Sequence, residues 1–176
     1  LAHALLGEFP EEMVELAAIG TIADLVSLTD ENRTIAKLGI AQMKHTQRIG
    51  LVSLLEKLSV KMDKLDEKTI GFQIGPRLNA LGRLGDATPG VQLLTTFDDE
   101  EAESIVNFMQ SENERRQAIV NQIVEEATPL IASQAQQPIL VLAQPGWHEG
   151  VLGIVASRIV EQTGKPTIVL GISEDG

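Results

Sequence analysis

Two apolar runs, Pro138-Ile139-Leu140-Val141-Leu142-Ala143 and Pro166-Thr167-Ile168-Val169-Leu170, flank an amphipathic stretch from Gly150 to Gln162. Short apolar runs rich in β-branched residues read as buried strands, and a helical period between them supplies a crossover. Strand, helix and strand in that order predict a βαβ unit with parallel pairing, because parallel strands need a crossover of about a dozen residues or more. The last quarter of the chain is therefore α/β.

The first three quarters are helical in period. Pro10 followed by Glu11 and Glu12 opens a helix, with acids near its positive end, and Met13, Leu16, Ala17 and Ile19 continue it into Gly20-Thr21-Ile22-Ala23-Asp24-Leu25-Val26. Thr29 or Asp30 caps a second helix carrying Ile35, Leu38 and Met43, and Gly50 precedes a third through Leu54, Leu55 and Leu58. Ser59 to Lys68 reads as a charged connector. Thr69 to Leu84 reads as a helix broken at Gly75-Pro76, and Thr88-Pro89 as an N-cap with proline in the first turn of a short helix. Asp98 with Glu101 resembles a capping box at the head of a long helix carrying Ile105, Met109, Ile119, Ile123 and Ala127. There is no internal repeat and no low-complexity tract.

Residues Gly71 to Asp86 place Arg77, Asn79 and Arg83 among four glycines and one proline. Glycine permits close backbone approach, proline stiffens the path, and arginine offers a planar fork of donors suited to phosphate. A helix end with a turn explains the glycines but not so many donors, so this segment reads as a grip on a phosphodiester backbone. A net charge of −11 argues against a nucleic-acid partner until its distribution is considered. Residues 98–126 hold nine acids against Arg115 and Arg116, whereas residues 71–97 hold two arginines against Asp86 alone. The acidity belongs mainly to a solvated helix face and to the N-terminal segment.

At 176 residues and 43% hydrophobic, the chain can bury a core, as one domain or two small ones. The absence of cysteine excludes disulfides and thiolate metal sites and suits a reducing cytoplasm. No apolar run is long enough to cross a bilayer, so no membrane partner is expected. The start has no initiator methionine or basic signal flank, and the end follows directly on a strand, so the chain reads as a fragment of a longer protein. Aromatic residues make up 3% with no tyrosine, which argues against base-stacking RRM and OB platforms. No Walker A loop, dinucleotide fingerprint or nucleophile elbow is present.

Three positions carry candidate chemistry. Asp24 lies in an apolar stretch; its ordinary reading is a helix-end carboxylate, and its functional one is a single ligand of a Mg²⁺ or Mn²⁺ site. His148, in the loop Gly146-Trp147-His148-Glu149-Gly150 between strand and helix, sits where α/β sheets bind ligands, next to a helix N-terminus. Trp147 reads as a core cap. Arg158 is a possible ligand contact beside Ser157, although a surface role is the commoner one for a helical arginine. His3 and His45 have no partners at metal spacing.

Gly20-Thr21-Ile22-Ala23-Asp24-Leu25-Val26, Asp30-Glu31-Asn32-Arg33, Gly75-Pro76-Arg77-Leu78-Asn79-Ala80-Leu81-Gly82-Arg83 and the run from Gly146 to Arg158 together resemble the RecJ family of the DHH phosphoesterase superfamily. The resemblance covers nearly the whole chain with motifs in one order. It implies residues 1–28 as the end of a DHH catalytic domain, 29–60 as connecting helices and 61–176 as a DHH-associated domain, both domains incomplete. It implies a 5′-to-3′ exonuclease that releases mononucleotides from single-stranded DNA held between the domains, using Mn²⁺ or Mg²⁺, in bacterial cytoplasmic repair and recombination. A helicase or single-strand-binding protein is the implied partner. Asp24 then corresponds to the last metal-binding aspartate, Arg77, Asn79 and Arg83 face the cleft with Arg158 as a further nucleic-acid contact, and His148 lies near the scissile phosphate. The Asp-His-His triplet and the earlier aspartates are absent, as is the phosphate-binding motif after the second strand. The fragment is thus expected to hold half a site and not to cleave alone. Two alternatives are a DHH phosphodiesterase acting on short RNA or cyclic dinucleotides, whose Gly-Gly-Gly-His motif is replaced here by Gly146-Trp147-His148, and a non-catalytic DNA-binding relative.

Overall fold

The structure is a computed structural model that describes residues 11–173. Pro10 and His3 lie outside the described residues. The chain divides into two compact units, Leu1–Ser111 and Glu112–Gly176. Compactness sets one division at 111, within the long helix.

Unit 1 is helical. A 3₁₀ turn, Glu11–Met13, leads into α1 (Val14–Ala23), followed by α2 (Asp30–Met43) and α3 (Ile49–Lys57). After a turn at Met62–Lys64, a helical turn (Glu67–Thr69), a π-helical turn (Ile70–Ile74) and α4 (Gly75–Leu84) run on without interruption. Then come α5 (Thr88–Thr95) and α6 (Asp99–Ser133), which begins in this unit. Ile19, Ile22, Met43, Leu51, Leu54, Leu55, Ile70, Ile74, Leu81, Leu93 and Met109 form one buried cluster. The apolar face of every helix in the unit contributes to it, as expected of amphipathic helices closing on a shared core.

The expected break at Gly75-Pro76 does not occur. Proline cannot donate to the carbonyl four residues back, and its ring crowds that carbonyl. The chain absorbs this by widening rather than breaking: the Gly75 amide bonds to the Ile70 carbonyl, five residues back. The caps also differ in detail. Thr29 is the N-cap of α2, but its hydroxyl makes no cap bond. The turn into α5 is closed by Asp86, which accepts from the Thr88 amide at 2.9 Å and hydroxyl at 2.7 Å, so Thr88 is the first helical residue rather than the cap. Asp98 caps α6 by accepting from the Glu101 amide at 2.9 Å, while the Glu101 carboxylate takes the Thr96 hydroxyl instead of closing the reciprocal half of the box.

Arg48, just before α3, joins three segments of the unit. Its Nε bonds to the buried Glu15 carboxylate at 2.5 Å, Nη1 to the Leu94 carbonyl at 3.2 Å and Nη2 to the Glu12 carbonyl at 2.8 Å.

Unit 2 contains the C-terminal part of α6, then β1 (Leu140–Pro145), α7 (Glu149–Thr163) and β2 (Thr167–Ile172). The strands pair in parallel, with Leu140 opposite Thr167 and Pro145 opposite Ile172, as the βαβ reading predicts. They are not buried on both faces, however. Leu140 and Leu142 are buried, as are Val151, Val155 and Ile159 of α7, whereas Val141, Ile168, Leu170 and Ile172 remain exposed on the other face. The edge of β1 is closed by a side chain. Gln134 donates its amide to the Val141 carbonyl at 2.8 Å and accepts the Val141 amide at 3.0 Å, standing in for a neighbouring strand.

Candidate functional site

In unit 1 the two motifs quoted above come together. Asp24 is the residue on which α1 ends, its amide bonded to the Gly20 carbonyl at 3.1 Å. The end of α1 packs on the π-helical turn and the start of α4: a methyl added at Gly75 would lie 3.0 Å from the Ala23 Cβ, and one at Gly71 would lie 3.7 Å from an Ile22 methyl. Glycine at position 75 is what allows this approach. Asp24 is exposed, and no hydrogen bond or ion pair engages its carboxylate among the described residues. It stands at the carbonyl end of α1, where the helix dipole disfavours negative charge by about 0.3–1 kcal/mol. The next residue, Leu25, is left-handed at φ 56° and 79% exposed. That conformation costs a leucine about 1–2 kcal/mol and recovers little burial in return. Strain of this kind collects at functional positions.

The basic segment separates into two roles. Arg77 is tethered, with Nε bonded to Gln110 of α6 at 2.9 Å and Nη1 to the Gln73 carbonyl of the π-helical turn at 2.8 Å. Asn79 and Arg83 are exposed and four residues apart, hence on one face of α4. Asp86, the single acid of the segment, is occupied in starting α5; the Thr88 amide and hydroxyl hold its carboxyl below the usual range. Beside Asp24 lies a mostly apolar depression of about 210 Å³, lined by Ile22, Leu25, Val26, Leu28 and Phe72 together with Glu67 and Lys68.

In unit 2, Gly146 (φ 80°) turns the chain out of β1 and His148 becomes the N-cap of α7. Its Nδ1 accepts from the Gly150 amide at 3.1 Å, which leaves the proton of the neutral ring on Nε2. His148 thus has the structural role of closing a helix N-terminus, with a donor left over. Trp147 is buried, as its core-cap reading predicts, and its indole N–H donates to Glu126 of α6 at 2.8 Å. Arg158 projects from α7 and bonds to Asn121 at 2.5 Å, in a groove of about 340 Å³ that Arg116, Gln117, Ser157 and Glu161 also line. Ser157 back-bonds to the Gly153 carbonyl at 3.0 Å. His45 is exposed in unit 1.

Among the described residues no three His, Asp or Glu side chains are grouped as a metal site. Asp24 suits a hard divalent cation as an oxygen donor, and as one ligand only. Sequence reasoning singled out neither Glu126 nor the Glu15–Arg48 pair, since an acid on an amphipathic helix is ordinarily solvated. Trp147, a buried indole that requires an acceptor, is the one sequence signal pointing toward Glu126.

No family model matches the chain. It is 47% identical over 176 residues to the single-stranded-DNA-specific exonuclease RecJ of Bacillus subtilis, aligning 99% of this chain with 22% of that protein. It is 37% identical to RecJ of Thermus thermophilus, over 92% of this chain and 23% of the relative, and 36% identical to RecJ of Escherichia coli, over 94% and 30%. The chain therefore spans between about a fifth and a third of the length of these relatives. Among solved structures, T. thermophilus RecJ in complex with Mn²⁺ matches with a TM-score of 0.86 at 36% identity, covering 96% of this chain and 26% of that one. An exonuclease RecJ bound to manganese matches with a TM-score of 0.81 at 36% identity, covering 96% and 43%. Sequence and fold agree: over nearly its whole length the chain is similar to one segment of RecJ.

Proposed function

We propose that the full-length protein containing this segment is a 5′-to-3′ exonuclease specific for single-stranded DNA, which hydrolyses phosphodiester bonds with Mn²⁺ or Mg²⁺ and releases mononucleotides in repair and recombination. The observation that carries this reading is the joint likeness to RecJ in sequence and fold. A bound divalent ion supplies an activated water and neutralises charge on the phosphate. Asp24 holds such an ion through its exposed carboxylate, and a cation there also offsets the unfavourable charge at the end of α1. Asn79 and Arg83 bind phosphates from the exposed face of α4, while Arg77, tethered to Gln110 and Gln73, fixes that segment against α6. In unit 2, His148 offers its Nε2–H to a phosphate oxygen, and Arg158 adds a cation. Contacts of this kind read no base, so cleavage is indifferent to sequence. A helicase or single-strand-binding protein that presents free strands, in a bacterial cytoplasm, is the partner class this activity calls for.

The test is Mn²⁺-dependent release of mononucleotides from a 5′-phosphorylated single strand by the full-length protein, wild type against Asp24→Ala. Loss of more than about a hundredfold is expected, because even partners one shell further from a metal cost about 10–100-fold. Equal rates would remove Asp24 from the site. A wild type inert toward DNA would remove the nuclease reading itself.

A further inference from the structure

We propose that Glu126 is a positioning residue for His148, holding the Gly146–His148 loop through Trp147; this inference rests on the nuclease reading for its catalytic consequence. Glu126 accepts three side-chain hydrogen bonds: Gln122 at 2.9 Å on Oε1, and Gln144 at 3.3 Å and Trp147 Nε1 at 2.8 Å on Oε2. Gln122 extends the clamp along α6, Gln144 lies on β1, and Trp147 lies in the loop itself. One carboxylate therefore fixes the end of the strand and the residue next to His148 to the long helix.

The loop is confined from the other side as well. A methyl at Gly171 of β2 would lie 2.5 Å from the Trp147 carbonyl, so β2 passes directly against the loop backbone. Trp147 is 5% exposed, and its indole N–H is satisfied by this acceptor. With Trp147 immobile and the His148 Nδ1 committed to the Gly150 amide, little freedom remains in the direction of Nε2–H. The bonds from Gln122 and Trp147 also hold the Glu126 carboxyl below its usual range, which keeps it ionised and a strong acceptor. Glu126, Gln144, Trp147 and His148 line one cleft of about 380 Å³, so the clamp and the imidazole face the same space. Packing alone would explain a buried tryptophan with an acceptor. It does not require that acceptor also to hold the strand end through Gln144, and this double attachment is what converts a satisfied indole into a fixed loop.

Two readouts test the inference. In the 176-residue chain Trp147 is the only tryptophan, so its fluorescence reports the loop directly. Glu126→Ala is expected to red-shift and broaden its emission, while Glu126→Gln, which keeps an acceptor oxygen, leaves it close to wild type. In the full-length protein, single-strand cleavage is measured for wild type, Glu126→Ala, Glu126→Gln, His148→Ala and the double alanine variant. Glu126→Ala should lower kcat about tenfold to a hundredfold with KM nearly unchanged, the size of effect expected when a reacting group moves by about 1 Å. Glu126→Gln should restore most of the rate, and the double variant should be no slower than His148→Ala alone. Multiplicative losses in the double variant, or unchanged emission in Glu126→Ala, would overturn the proposal. A wild type without nuclease activity would overturn the nuclease reading, and the fluorescence comparison would still decide whether Glu126 holds the loop.

Discussion

Unit 1 and unit 2 hold their chemistry-bearing residues in different ways. In unit 1 the helices close on a single buried cluster, and the end of α1 is set beside α4 by packing: Ile22 against Gly71 and Ala23 against Gly75. In unit 2 the sheet has two strands and one covered face among the described residues, and the loop carrying His148 is set by polar bonds from Glu126, Gln144 and the Gly150 amide. Dispersion and burial fix a backbone broadly but without direction, whereas hydrogen bonds fix fewer atoms with a defined orientation. On the proposed reading, a carboxylate that has only to reach a cation can stand on the first kind of scaffold, whereas an imidazole that must aim one N–H needs the second.

The largest expected effect lies in unit 1. Arg48→Ala removes the partner of Glu15, which is 3% exposed, and is expected to cost about 3–5 kcal/mol in urea unfolding through the uncompensated buried charge. A cost below about 1 kcal/mol would mean that the pair is solvated and that unit 1 depends on apolar packing alone. Next comes the contrast between apolar sites. Leu54→Ala, fully buried in unit 1, should cost about 2–5 kcal/mol, whereas Leu170→Thr on the open face of the unit 2 sheet should change stability by no more than about 0.5 kcal/mol. Equal costs, measured by the same unfolding assay, would show the sheet face to be covered and would erase the contrast.

The smallest effect concerns Asp86 at the start of α5. Its folded-state pKa is depressed by the Thr88 amide and hydroxyl, so the stabilisation is present above about pH 4 and is lost as the pH falls through the folded-state value. Asp86→Ala should therefore melt below wild type at neutral pH, and the two melting temperatures should converge in acid. A difference that persists at low pH would mean that the hydrogen bonds act independently of the charge.

Particular residues show how far the sequence was legible. The βαβ unit was readable because period-2 and period-3.6 patterns differ strongly and the crossover length admits only parallel pairing. The long helix was readable from its capping residue, although it runs through Pro129 to Ser133. Gly75-Pro76 misled, because proline chemistry states that a normal helical bond is lost but not whether the chain breaks or widens. The basic segment was legible as a cluster of donors, yet its division into a tethered Arg77 and an exposed Asn79 and Arg83 depends on Gln110, thirty-three residues away.

Local pattern by itself therefore determined most of the helices and the parallel pairing of the two strands, since each follows from properties of adjacent side chains. Tertiary structure alone decided that the end of α1 stands beside the π-helical turn, that Arg77 bonds to Gln110 of α6, and that Glu126 of α6 accepts the indole of Trp147 beside His148. Those outcomes depend on which surfaces meet across long sequence separations, where one hydrogen bond or one missing methyl selects among arrangements that the local pattern leaves equivalent.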